Sequence, residues 1–212
     1  MHLRAVTPIV VPPEELARRQ ARYDAIAPPD VTIHLDNLAE GPDRLESEAD
    51  IRRSERLVYH AAVATDPDHY DGVFLDCVLD PALEQLRAES SLPVFGITFL
   101  VANYLGSLGL TMAGAARNQA IADELRSRIA AAGWSSRLQD ILVLDLSLEA
   151  ISDTDRWNQV LAQHTGRLTG VDVVLNGCSA VEVTLAEGPV VVDPTGLALK
   201  LIGLGTGFVG GT

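Results

Sequence analysis

The 212-residue chain carries 29 acidic against 16 basic side chains, a net charge of −13, and only two cysteines. That charge excludes nucleic acid and anionic membrane surfaces as natural partners, because both would repel it. The length suits one large or two small α/β units, and no apolar run approaches membrane-spanning length.

Residues 2–11 read as a first strand, ended by Pro12-Pro13. Residues 14–26 have helical spacing with Leu16, Tyr23 and Ile26 as apolar points, and Pro28-Pro29 stops them. A second strand is expected over 31–35, then a polar loop with Gly41-Pro42. A long helix over 46–65 turns Ile51, Val58, Ala61 and Ala62 to one face. Tyr70-Asp71-Gly72 is a turn signal before the short strand Val73-Phe74-Leu75, which leads to Cys77. Asp80 can cap the next helix, with Pro81 in its first turn and Glu84 at its positive end. That helix runs to about Ser90, and a strand follows over 92–97.

A short helix over 99–105 would join two halves. A strand is expected over 108–112 with a turn at Gly114, a helix over 115–132 stopped by Gly133, and a strand over 138–146. A helix over 153–168 would be capped by Ser152 or Asp153. The strand before Cys178 follows, then a short helix over 181–186, a strand over 190–193 and a last helix over 195–202. Residues 203–212 read as a glycine-rich tail. Strands alternating with helices predict parallel sheets covered by helices.

The two cysteines sit in matching places. Val171-Asp172-Val173-Val174-Leu175-Asn176-Gly177-Cys178 repeats the order of turn, apolar run and cysteine seen before Cys77. Asp71 and Asp172 each lie six residues before their cysteine, and each cysteine is followed by Pro-Val, at Pro93-Val94 and Pro189-Val190. This repeat predicts two similar α/β halves, residues 1–97 with 195–212 and residues 98–194. The cysteines would then face each other across the cleft between the halves. Strand ends in open α/β sheets are where ligands bind, and amides at a helix start favour a thiolate. A single strand-end cysteine is more often packing than catalysis, but a repeated pair suits one reaction. One thiolate removes a proton from a carbon acid and the other thiol returns one to the opposite face. A thiol titrates close enough to neutrality for both forms to coexist. The enolate oxygen would be met by amides at the helix starts, with no metal or organic cofactor.

Cys77-Val-Leu-Asp80-Pro81-Ala-Leu83, Pro93-Val-Phe-Gly96-Ile97 and Asn176-Gly177-Cys178-Ser179-Ala180 together resemble the hydantoin racemase branch of the aspartate/glutamate racemase superfamily. Gly41-Pro42 with Leu45-Glu46-Ser47 resembles that branch's second loop. The resemblance runs from the first strand to the last helix. It implies two pseudo-symmetric flavodoxin-like halves, cofactor-independent proton transfer, and Cys77 and Cys178 as the acid/base residues. Thr7, Pro8, Val78, Gly177 and Ser179 would line the substrate, with Thr111 as a polar contact after the first strand of the second half. The chain departs from the branch at Thr7-Pro8-Ile9-Val10, where an Asn-Pro-Asn-Thr-like loop is usual, and at Val78-Leu79, where Phe-Gly is common. Thr98-Phe99-Leu100 is also more apolar than usual. These changes imply an altered substrate or reaction. Single-cysteine decarboxylation, cis–trans isomerisation or ring rearrangement stays open beside racemisation, as does non-catalytic binding. Asp76 beside Cys77 is unusual, and would disfavour a thiolate if it faced the site.

The remaining signals are weaker. Gly205-Thr-Gly207-Phe-Val-Gly210 matches a dinucleotide-binding pattern but has no strand before it or helix after it. The five histidines show no ligand spacing, so no metal is expected. The expected partner is a small molecule, and apolar surface helices are compatible with a homo-oligomer. With no charged-then-apolar leader, the chain is expected to be cytoplasmic, with thiols rather than a disulfide.

Overall fold

The structure, a computed structural model, describes residues 1–183 and 188–209. The chain divides into two units, Met1–Ile97 with the stretch from Thr195 onward, and Thr98–Pro194. In the first unit, β1 (His2–Val6), α1 (Pro13–Ile26), β2 (Thr32–Asp36), α2 (Glu48–Val63), β3 (Gly72–Leu75), α3 (Leu83–Glu89) and β4 (Val94–Phe95) alternate. Their strands form a wholly parallel sheet in the order β2-β1-β3-β4. The second unit holds α4 (Ile97–Ser107), β5 (Met112–Ala116), α5 (Gln119–Ala131), β6 (Leu138–Val143), α6 (Thr154–Thr165), β7 (Val173–Asn176) and β8 (Val190–Val192). Its sheet is parallel too, in the matching order β6-β5-β7-β8. The last helix, α7 (Pro194–Val209), belongs with the first unit, where Gly203 lies against Pro28.

Parallel strands covered on both faces are buried along their whole length. β3, β5 and β7 are buried at every position. The core of the second unit gathers Trp157, Val160 and Leu161 of α6 against Ala113 and Ala115 of β5 and Val174 of β7. The two early aspartates of the repeat have one structural job. Asp71 accepts from the His2 N–H through its carboxylate (2.6 Å), and its own N–H donates to the His2 carbonyl (2.8 Å). Asp172 does the same for Thr111, at 2.8 and 2.9 Å. Each aspartate thus pins the entry of its sheet's inner strand, β1 or β5, against the strand that leads to the cysteine.

The edge strand β2 is closed by a side chain. Gln20 of α1 donates from Nε2 to the Ile33 carbonyl (2.8 Å) and accepts at Oε1 from the Leu35 N–H (2.9 Å). Its amide thus stands in for a neighbouring strand's peptide group.

Several expectations change, among them the first strand, which ends at Val6 rather than 11, and the helix expected from 115, which begins at Gln119. The strand expected over 108–112 lies at Met112–Ala116, and the turn expected at Gly114 is strand interior. Small residues are required there, because a Cβ on Gly114 would lie 3.2 Å from Ile141 and 3.4 Å from Leu125. The helix after Cys77 starts at Leu83 rather than Asp80, with Ala82 at its N-cap. Residues 203–209, read as tail, continue α7. The helix expected over 181–186 is absent at 181–183, and its remainder lies outside the described residues.

No helix among the described residues is long and apolar enough to cross a membrane.

Candidate active site

In the first unit, β3 delivers Cys77 to a tight turn at its C-terminal end. The Cys77 N–H donates to the Leu75 carbonyl (2.8 Å), and the Cys77 carbonyl accepts from the Asp80 N–H (3.1 Å). Inside this turn the Leu79 N–H points at Cys77 Sγ, 3.4 Å away. A thiolate accepts such a bond more strongly than a thiol does. The donor foreseen at a helix start is therefore a turn amide, since α3 begins six residues beyond the cysteine.

Two left-handed residues, Asp80 (φ 44°) and Ala82 (φ 55°), fold the turn. Non-glycine residues rarely adopt this conformation and need outside support. Glu55 of α2 supplies it by accepting the Ala82 N–H (3.1 Å). Gly96 supplies room, since a Cβ there would lie 2.8 Å from the Asp80 carboxyl.

Asp76 joins a buried network on α1. Tyr23 Oη donates to Asp76 Oδ1 (2.6 Å), and Arg19 Nη1 lies 3.5 Å from Oδ2. Arg19 is held in turn by Glu15 (2.8 Å), which also binds Arg18 (2.7 Å). Burial, followed by the Asp76 charge and its hydrogen bond, pushes the Tyr23 phenol well above its usual value, so it stays protonated as a donor. Burial raises the Glu15 carboxyl, but the hydrogen bonds and charges of Arg18 and Arg19 outweigh it and hold it below its ordinary value.

A depressed carboxylate contributes stability that is full above its unfolded pKa and lost as pH falls through the folded one. Glu15→Gln is therefore expected to unfold at lower urea than the parent at neutral pH. That difference should close on acidification below the ordinary glutamate range. A constant difference across the series would show that Glu15 contributes through packing alone.

In the second unit, β7 delivers Cys178 through Gly177. The Gly177 N–H donates to the Ala115 carbonyl at 2.6 Å, and a Cβ on Gly177 would sit 2.3 Å from that oxygen. Trp157 of α6 fixes the turn from behind. Its Nε1–H donates to Asn176 Oδ1 (3.0 Å), and Asn176 Nδ2 donates to the carbonyls of Cys178 (3.0 Å) and Val181 (3.3 Å). Cys178 is half-buried, whereas Cys77 is only 7% exposed, and neither is in a disulfide.

Val78, Gly177 and Ser179 adjoin the two cysteines, and Val78 and Ser179 are buried. Thr7 and Pro8 follow β1 at the same end of the sheet as Cys77. Thr7 is fully buried, and its hydroxyl donates to Asn37 Oδ1 (3.0 Å) and accepts from the Leu38 N–H (3.1 Å). The Pro8 carbonyl accepts from the Ser54 hydroxyl. Both residues brace loops with these polar groups. Thr111 is a correction. It precedes β5 and bonds Asp172, at the opposite end of the sheet from Cys178, because the strand lies four residues later than expected. The residues that follow β5 are Arg117, which is buried and donates to the Leu146 carbonyl, and Asn118, which caps α5.

Tyr23, Arg19, Glu55 and Trp157 were not foreseen at the site. Among the described residues, no cluster of three or more His, Cys, Asp or Glu side chains could hold a metal ion.

The fold has close structural likenesses. Allantoin racemase from Klebsiella pneumoniae superposes with a TM-score of 0.80 at 20% identity, over 98% of this chain and 88% of that one. Allantoin racemase from Pseudomonas fluorescens gives 0.78 at 17% identity, over 97% and 92%. Arylmalonate decarboxylase gives 0.60 at 18% identity, over 97% and 94%. At these identities the likeness speaks to the fold alone. A comparison with curated proteins finds no match. The sequence pattern itself is matched over residues 16–202, nearly the whole chain, and on that ground the protein belongs to the Asp/Glu/Hydantoin racemase family.

Proposed function

We propose that the protein is a cofactor-independent racemase of a small hydantoin-like carbon acid, with Cys77 and Cys178 as its acid/base pair. One observation carries this reading: each cysteine follows the third strand in one of two sheets of identical strand order. Family membership and the fold shared with allantoin racemases support the substrate class.

In this reading one thiolate takes the proton on the stereogenic carbon, and its electron pair moves into the adjacent carbonyl as an enolate. The other thiol then donates its proton to the opposite face, which inverts the centre. Each turnover exchanges the roles of the two sulfurs. The Leu79 N–H aimed at Cys77 Sγ stabilises the charged form of that base. Val78, Gly177 and Ser179, beside the two sulfurs, are the proposed substrate contacts.

The test is isotopic. Enantiopure allantoin or a 5-substituted hydantoin is incubated with the protein in deuterium oxide. Two-base transfer predicts that the early product enantiomer carries deuterium while the remaining substrate keeps its hydrogen. Optical rotation and proton NMR read the two together. Loss of optical rotation with deuterium entering both enantiomers equally from the start would sink the two-base scheme. Absence of any exchange with either compound would sink the substrate class.

A further inference from the structure

We infer that Asp76 and Tyr23 are positioning residues for the Cys77 sulfur, an inference that rests on the reading of Cys77 as an acid/base group. Asp76, Tyr23 and Arg19 are 2%, 3% and 5% exposed, so the network they form is sealed from water. Phe74 lies within β3 and Asp76 just past its end, and both meet Tyr23 of α1. Tyr23 holds both residues on its side. Its ring meets Phe74 edge-on, with centroids 5.9 Å apart and planes at 89°, and its hydroxyl binds Asp76. Arg19 forms a looser ion pair with the second carboxylate oxygen (3.5 Å), and Glu15 hydrogen-bonds Arg19.

The peptide between Asp76 and Cys77 is thus anchored from behind by a buried carboxylate that cannot shift without losing its partners. That peptide begins the turn in which the Leu79 N–H meets the sulfur. Proton transfer needs a base held within a fraction of an ångström, and a turn braced only by its own short bonds would wander. A carboxylate next to a thiol would ordinarily oppose its ionisation. Paired with Tyr23 and Arg19, it serves as an anchor.

The experiment uses the full chain with Cys178→Ala, so that Cys77 is the only thiol, and measures the rate of its alkylation by iodoacetamide at one mildly alkaline pH. Thermal midpoints are recorded alongside. Tyr23→Phe and Asp76→Ala are each expected to slow labelling about tenfold, the scale of one lost charge-assisted hydrogen bond to the sulfur. Asp76→Asn, which keeps an oxygen for Tyr23, is expected to label within about twofold of the parent, since the anchoring bond survives without the charge. The direction decides the matter. A network that served stability alone would, when loosened, expose the buried thiol and speed its labelling. Unchanged or faster labelling in Tyr23→Phe therefore overturns the inference while leaving Cys77 a reactive base. A parent Cys77 inert to iodoacetamide overturns the acid/base reading and the inference with it. Should Asp76→Ala fail to fold, Tyr23→Phe and Asp76→Asn carry the same comparison.

Discussion

Cys77→Ser is expected to lower racemisation of a hydantoin-like substrate by about 10²–10⁴-fold, the range a positioned acid–base group contributes, and Cys178→Ser by as much. Serine keeps nearly the volume of cysteine, so the turns after β3 and β7 should survive, and unchanged thermal midpoints would confirm it. A serine hydroxyl does not give up its proton near neutrality, so neither substituted group can serve as the base. The reaction of one enantiomer is the reverse of the other's and the two share one barrier, so each variant loses racemisation in both directions alike. Racemisation rates from optical rotation, measured from both enantiomers, check the result. A single variant that still racemises would end the paired scheme. It would leave chemistry through one cysteine, such as decarboxylation or double-bond isomerisation, as the better account.

Gly177→Ala should be severely damaging to the second unit. Its new Cβ would lie 2.3 Å from the Ala115 oxygen, 3.1 Å from the Ala115 carbonyl carbon and 3.2 Å from the Ala116 Cα, all of them backbone atoms of β5. Side chains can rotate out of such a clash, but the middle of a sheet cannot. Relief requires β7 and β5 to separate at the point where the Gly177 N–H bonds Ala115. We expect a loss of about 3 kcal/mol, the upper range for overpacking, together with loss of racemisation. Gly114→Ala is the comparison, because the atoms nearest its Cβ would belong to the side chains of Ile141 and Leu125. It should cost about 1 kcal/mol. Urea unfolding of both variants checks the order. Equal losses would mean that the strands separate more easily than their bonding suggests.

The parallel two-sheet architecture was legible because its signals are local. Val73-Phe74-Leu75 and Val173-Val174-Leu175 are short β-branched or aromatic runs that end at turn residues. β5 was misplaced because Met112-Ala-Gly-Ala-Ala has no strand-forming character of its own. Its small residues answer to Ile141 and Leu125, which no local window contains. Thr111 fell to the wrong end of the sheet for the same reason. Asp80-Pro81 reads as a helix start, but the chain turns left-handed there because Glu55, 27 residues away, takes the Ala82 N–H. The pairing of Asp76 with Tyr23 spans 53 residues and that of Asn176 with Trp157 spans 19. Sequence could flag Asp76 as odd beside a thiol. Only the packing of α1 reveals what it holds.

The amide of Gln20 on the rim of β2 bears on solubility. Open sheet rims invite strands from other molecules, and charge or proline is a common deterrent. Here the deterrent is occupancy, since the Ile33 carbonyl and Leu35 N–H already have their partners. The protection is only as old as the docking of α1. A nascent chain whose sheet has formed before that helix settles exposes an adhesive rim. The order in which helix and sheet assemble thus decides whether this stretch of β2 is open to a foreign strand.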